Sequence, residues 1–254
     1  MNPILKWCYQ LAVPHILYPR IQAWLPWVAL VTFSLLALGL YLGLAVAPAD
    51  YQQGEAFRII YVHVPAAWLS MAVYVAMALM ALSVLVWRIQ VAELALVASA
   101  PIGAAFTLIA LITGAIWGKP MWGAWWVWDA RLTSELILLF IYIGIFVLYD
   151  AIEDKRQAGK AVSLMTLVGL VNIPIIHYSV TWWNTLHQPP SLSKFDTPSI
   201  HIDMLIPLLI MLLAFKLLYL LMLMLRMRLS LIERQPQAAW VKALIKPATT
   251  GDKP

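Results

Sequence analysis

The sequence predicts an all-α, polytopic integral membrane protein: a bundle of six transmembrane helices with a short tryptophan-rich cap on one face. Two observations carry that expectation. Of 254 residues, 63% are hydrophobic and only 11% charged, with a mean hydropathy of +0.83, far outside the composition of a soluble globular domain. Six apolar runs are also each long enough, at about 20 residues, to cross the hydrocarbon core of a bilayer.

The runs fall at 27–47, 64–87, 94–116, 132–149, 161–181 and 204–225. The first begins after Pro26, the last of four prolines that include Pro3, Pro14 and Pro19. No small-residue cleavage site follows an apolar core there, so this span is expected to act as its own targeting signal. The second opens at His63 in YVHVPAAW, and Pro65 suits the first turn of a helix. The fourth carries Glu135 near its start, where a carboxylate can stay hydrated and favours the positive end of the helix dipole. Asp129 suits the N-cap of that helix, or holds Arg131. The sixth contains Lys216, which can snorkel to the surface. With no internal repeat and no soluble domain boundary, residues 1–254 read as one membrane domain. Within it, 117–131 forms a tryptophan-rich segment and 230–254 a tail that is expected to fray.

Loop charge sets the expected orientation. Twelve of the 17 Lys and Arg residues lie on the side of the termini: Lys6, Arg20, Arg88, Lys155, Arg156, Lys160 and six more from Arg226 onward. The other side has Arg58, Lys119, Arg131 and Lys194. By the positive-inside rule the termini are cytoplasmic. The short segments 48–63, 117–131 and 182–203 then face outward, into the periplasm of a Gram-negative cell. The formal charge of +5 is a consequence of this topology rather than a sign of nucleic acid. Cys8 is the only cysteine, which excludes an intramolecular disulfide and a thiol relay. No GxxxxGK[ST] loop is present to cradle nucleotide phosphates, and no nucleophile, base and orienter are grouped for covalent catalysis.

The segment WGKPMWGAWWVWDAR places Trp117, Trp122, Trp125, Trp126 and Trp128 between two spans. Indoles ordinarily anchor helices in the headgroup layer, but this density offers a broad aromatic surface suited to a planar, apolar, anionic ligand such as haem. The spacing of Trp122, Trp125 and Trp126 would set three rings on one helical face, with Gly118 and Gly123 leaving room for close approach. Four of five histidines, His63, His177, His187 and His201, gather at the same membrane face, and neutral imidazole is a good ligand for haem iron. His63 and His187 are the favoured pair, with Pro189 and Pro190 stiffening the chain after His187, although position alone does not separate His187 from His201. Arg58 and Arg131, with Lys119 third, are the cations that could grip propionates; anchoring to lipid phosphates is the competing role.

The string WGxWWxWD, here Trp122, Gly123, Trp125, Trp126, Trp128 and Asp129 followed by ARLTSEL, resembles the "WWD" signature of haem-handling proteins in cytochrome c maturation. With six spans and the element around His63, the chain is similar to the haem exporter protein C family, CcmC, over nearly its whole length. The resemblance implies that His63 and His187 are axial ligands of a non-covalent haem b and that the WWD segment, from Trp117 to Asp129, supports the porphyrin. The resemblance also sets Arg58 and Arg131 at the propionate end. It also implies a multi-pass protein of the bacterial inner membrane that delivers haem to the chaperone CcmE. The implied partners are the ABC transporter subunits CcmA and CcmB, and CcmD, so ATP would be hydrolysed by another subunit. Two other roles compete with delivery. A membrane cytochrome would need ligands at a second depth, and a WWD-type haem lyase would need a large external domain to receive an apocytochrome.

Overall fold

A computed structural model describes residues 10, 12–183, 185–187 and 200–245. The readings that concern Cys8, Pro189, Pro190, Lys194 and the tail beyond residue 245 lie outside those residues. Helix α1, Pro14–Tyr41, continues into a π-helical turn at Leu42–Val46. It starts well before residue 27 because Pro14 occupies the first turn, where a missing N–H costs nothing, and the helix accommodates Pro19 and Pro26. A 3-10 turn at Glu55–Ile59 leads into α2, Ile60–Trp87. His63 therefore lies in the first turn of α2, while Pro65 sits one turn deeper than expected. After a tight corner at Arg88, which takes the left-handed conformation (φ 55°), α3 runs over Gln90–Trp122.

The end of α3 corrects the reading of the tryptophan segment. The helix carries Trp117 and Trp122 and stops at Gly123, whose φ of 77° suits a residue without Cβ. Trp125, Trp126 and Trp128 follow in irregular chain, so they do not share a helical face with Trp122. Helix α4, Ala130–Ala151, begins as expected with Asp129 as N-cap, its Oδ1 accepting from Leu132 N at 2.8 Å. The fifth crossing is two pieces, α5 at Lys155–Gly169 and α6 at Asn172–Trp182, joined by a turn at Leu170 and Val171. Asn172 Nδ2 donates to Ser134 O of α4 at 2.9 Å, satisfying a carbonyl beside the break. Helix α7, Ile202–Arg234, makes the sixth crossing, and the short α8, Ala239–Ile245, follows it.

Six helical segments are thus long and apolar enough to cross a membrane. Helix α2 packs mainly on α3, with α4, α5 and α6 around them, while α1 lies chiefly against α7. Tyr74, Met77, Leu138, Tyr142 and Ile145 are fully buried at the centre. Gly103 gives the Tyr142 ring its place against α3, since a Cβ there would overlap the ring, and the Tyr142 hydroxyl donates to Ser70 O at 2.6 Å. At the end where α1 begins and α7 finishes, Tyr18, Ile21, Leu94, Met224 and Leu231 form a second cluster. There Glu93 accepts from Tyr149 Oη at 3.2 Å and Arg234 Nη2 at 3.1 Å. One expectation about charges in the spans fails: Glu135 is buried rather than hydrated. Lys216 is exposed and sets its Nζ 4.7 Å from the Trp68 ring centre, a cation–π contact.

Candidate functional site

At the opposite end of the bundle, α2 and α4 begin and α3 and α6 finish, so residues far apart in sequence meet. His63 from α2 and His187, five residues beyond α6, line one cavity of about 30 Å³. Ala67 and Met71 from α2, Ala110 from α3 and Ile176 from α6 supply apolar walls, and Arg131 and Glu135 from α4 supply ionisable groups. Gly114 on α3 faces His63, where a Cβ would come within 3.1 Å of Cε1.

Hydrogen bonds decide which nitrogen each ring presents. His63 Nδ1 lies 3.0 Å from Thr113 Oγ1. That hydroxyl donates to Ile109 O at 2.6 Å, so toward the ring it acts as acceptor and Nδ1 carries the proton. His187 Nδ1 lies 3.1 Å from Asp129 Oδ2, an acceptor-only group when ionised. Both rings are therefore oriented through Nδ1–H, leaving Nε2 with its lone pair, the arrangement typical of metal-binding histidines. Burial holds the His187 pKa below its ordinary value, with the Asp129 carboxylate acting in the opposite direction; the ring is neutral at pH 7. Asp129 divides its two oxygens between the α4 N-cap and His187, and Arg131 takes neither.

Each histidine also has an indole neighbour. Trp117 stands edge-on to His63 with ring centres 5.6 Å apart and anchors its Nε1–H on Gln53 Oε1 at 2.9 Å. Trp122 stands 4.8 Å from His187. Trp126 meets Trp128 at 5.4 Å, and its Nε1 is buried without a hydrogen-bond partner among the described residues. Trp125 and Trp128 are 59% and 75% exposed and form the outer surface of the cap.

The remaining candidates separate clearly. Arg131 lines the cavity and has no carboxylate within ion-pair distance among the described residues. Arg58 does not line it: its Nε pairs with Glu55 and its Nη1 donates to Gly43 O at 2.8 Å. Lys119 Nζ donates to Gly123 O at 3.1 Å and so closes the end of α3. His201 is exposed and caps α7, its Nδ1 accepting from Asp203 N at 3.4 Å. His177 packs on Tyr178 at 4.7 Å. Thr113, Gly114, Ile176 and the cavity-lining position of Glu135 were missed by sequence reasoning. Only Glu135 left a signal, as a carboxylate inside an apolar span.

The chain matches known proteins over nearly its whole length. The family model described as "Heme exporter protein C" matches residues 7–242. The chain belongs to the heme exporter protein C family. Heme exporter protein C of Haemophilus influenzae is 51% identical over 239 residues, covering 94% of this chain and 97% of the relative. Its counterpart in Escherichia coli (strain K12) is 50% identical over 240 residues with the same coverage. A putative cytochrome c biosynthesis ccmC-like mitochondrial protein of Marchantia polymorpha is 52% identical over 181 residues, 71% of this chain and 76% of that protein. Within the family match lie both histidines, Asp129 and all five cap tryptophans.

Proposed function

We propose that this protein binds haem b at the outer, periplasmic face of the bacterial inner membrane, with both termini cytoplasmic. It passes the haem to the chaperone CcmE during cytochrome c maturation, working beside the transporter subunits CcmA and CcmB and the small protein CcmD. Membership of the heme exporter protein C family supports a role in haem handling. The observation that carries the site is the pair His63 and His187, rooted in distant segments, lining one cavity and each left with a free Nε2.

Haem is the cargo, and the donor set fits it. Two neutral imidazoles suit a six-coordinate iron. The indole surface suits the porphyrin face, and Arg131 and the Trp126 Nε1–H, neither paired among the described residues, are donors suited to propionate oxygens. Arg58, engaged with Glu55, is the weaker candidate for that work. A cavity of about 30 Å³ has room for roughly one or two waters and not for a porphyrin. Ligation of one haem by both rings therefore requires the cavity to widen.

The test is the visible spectrum of haem retained by the protein purified with its CcmABD partners, for wild type and the double variant His63→Ala with His187→Ala. Loss of the six-coordinate Soret band and of haem content is expected in the double variant; an unchanged spectrum refutes the ligand assignment. Arg131→Gln is expected to lower haem content more than Arg58→Gln, and the reverse order would move the propionate end toward Arg58.

A further inference from the structure

The end of the bundle away from the histidines holds a second concavity. Helices α1 and α7 pack against each other but leave an open groove of about 560 Å³, walled by Leu17, Ile21, Val28, Leu220 and Met224. From Leu17 to Val28 it follows α1 for about 16 Å at 1.5 Å per residue. That is half of a hydrocarbon core of about 30 Å, or one leaflet. Trp24 stands on its wall, 64% exposed.

Charge sits at one end of this apolar trough. Arg20 lines it; its Nη2 donates to Gln10 Oε1 at 2.7 Å, while its Nη1 is buried without an acceptor among the described residues. On α7, Leu220, Met224 and Arg228 recur every four residues and share a face. Arg228 therefore extends the same wall by one turn, and its Nε too is buried without a partner among the described residues. Guanidinium donors without acceptors are costly, and the group that best matches their fork is a phosphate or carboxylate. A groove one leaflet long, apolar along its length and doubly cationic at its end, has the layout of an amphiphile.

We propose that this groove binds one anionic phospholipid, with an acyl chain along α1 and α7 and its phosphate between Arg20 and Arg228. A partner's transmembrane helix would also cover the apolar walls, but one orphaned guanidinium nitrogen on each arginine, among the described residues, favours an anion at that depth.

Native mass spectrometry of the full chain, purified in detergent, tests this with three probes: phosphatidylglycerol, phosphatidylcholine of the same acyl chains, and inorganic phosphate. Wild type is expected to retain phosphatidylglycerol ~10-fold better than phosphatidylcholine, with inorganic phosphate not displacing it. Arg20→Gln with Arg228→Gln should bring the two lipids to parity. Val28→Trp, which fills the groove and leaves both arginines in place, should lower retention of both, so the proposal stays testable if the double variant does not fold. No lipid preference in wild type, or an undiminished one in the double variant, overturns the proposal. Displacement by inorganic phosphate overturns it in favour of a free-phosphate site. A photocrosslinker replacing Trp24 that captures a protein rather than lipid in native membranes overturns it in favour of a helix.

Discussion

Asp129 offers the sharpest test of the site because its two carboxylate oxygens have separate duties. Oδ1 caps α4 through Leu132 N, and Oδ2 accepts from His187 Nδ1. Asp129→Asn leaves an oxygen for the cap, since Asn and Asp are equally good there, but turns an NH2 donor toward His187. The ring must then accept at Nδ1 and carry its proton on Nε2, which removes the lone pair that the proposed iron ligation needs. Loss of a partner that orients a metal-binding histidine costs 10–100-fold in affinity, about 1.4–2.7 kcal/mol. Asp129→Ala loses the same hydrogen bond and also the cap, a further cost to stability of about 1 kcal/mol. Haemin titration of the detergent-solubilised protein, read at the Soret band, should therefore show both variants impaired. Thermal unfolding followed by circular dichroism should show only the alanine variant destabilised. An asparagine variant that binds haemin with wild-type affinity and spectrum would falsify the tautomer argument.

Three further outcomes follow from the same geometry. Burial depresses the His187 pKa, so the folded state favours the neutral ring. The stability of that state is complete above the ordinary imidazole value of about 6.5 and is lost as pH falls below it. Haem occupancy should be flat from about pH 8 to 6.5 and decline on acidification, as read by a spectral pH titration; a decline on raising the pH instead would contradict the assignment. Thr113→Val removes the acceptor that orients His63 and should weaken haemin binding about 10-fold with the fold intact; unchanged binding would show that Thr113 does not position the ring. Gly103→Ala drives a methyl into the Tyr142 ring and should destabilise the bundle by about 1–3 kcal/mol, measured by denaturant unfolding in detergent, whereas wild-type stability would mean that the ring moves aside without cost.

The six crossings were legible because hydrophobic length is a strong and local signal, but helix ends were not. The apolar run begins only after Pro26, yet α1 starts at Pro14, where a first-turn proline is tolerated, and the helix also accommodates Pro19 and Pro26. Gly123 with Lys119 one turn earlier marked the true end of α3, and the tryptophan spacing was read as helical across that stop. The break in the fifth crossing had its own markers in Gly169, Asn172 and Pro174, set inside an otherwise apolar run. In the site, nearness in sequence misled for Arg58. It precedes His63 by five residues, yet the 3-10 turn aims it at Glu55 and the Gly43 carbonyl, while Arg131, 68 positions from His63, shares the cavity. The choice of His187 over His201 depends on where the chain returns after α6, and Thr113 meets His63 only because α2 and α3 pair, which no local pattern encodes.

The tyrosine pair at mid-height has a consequence for traffic. Tyr74 and Tyr142 meet edge to face with ring centres 5.2 Å apart, both fully buried among Met77, Leu138 and Ile145, and both hydroxyls are tied to backbone carbonyls. That stopper blocks the bundle axis to anything as wide as a porphyrin. If the histidines hold haem as proposed, the chain is a berth and not a conduit: cargo would come to them over the rim or sideways out of the lipid rather than down the middle.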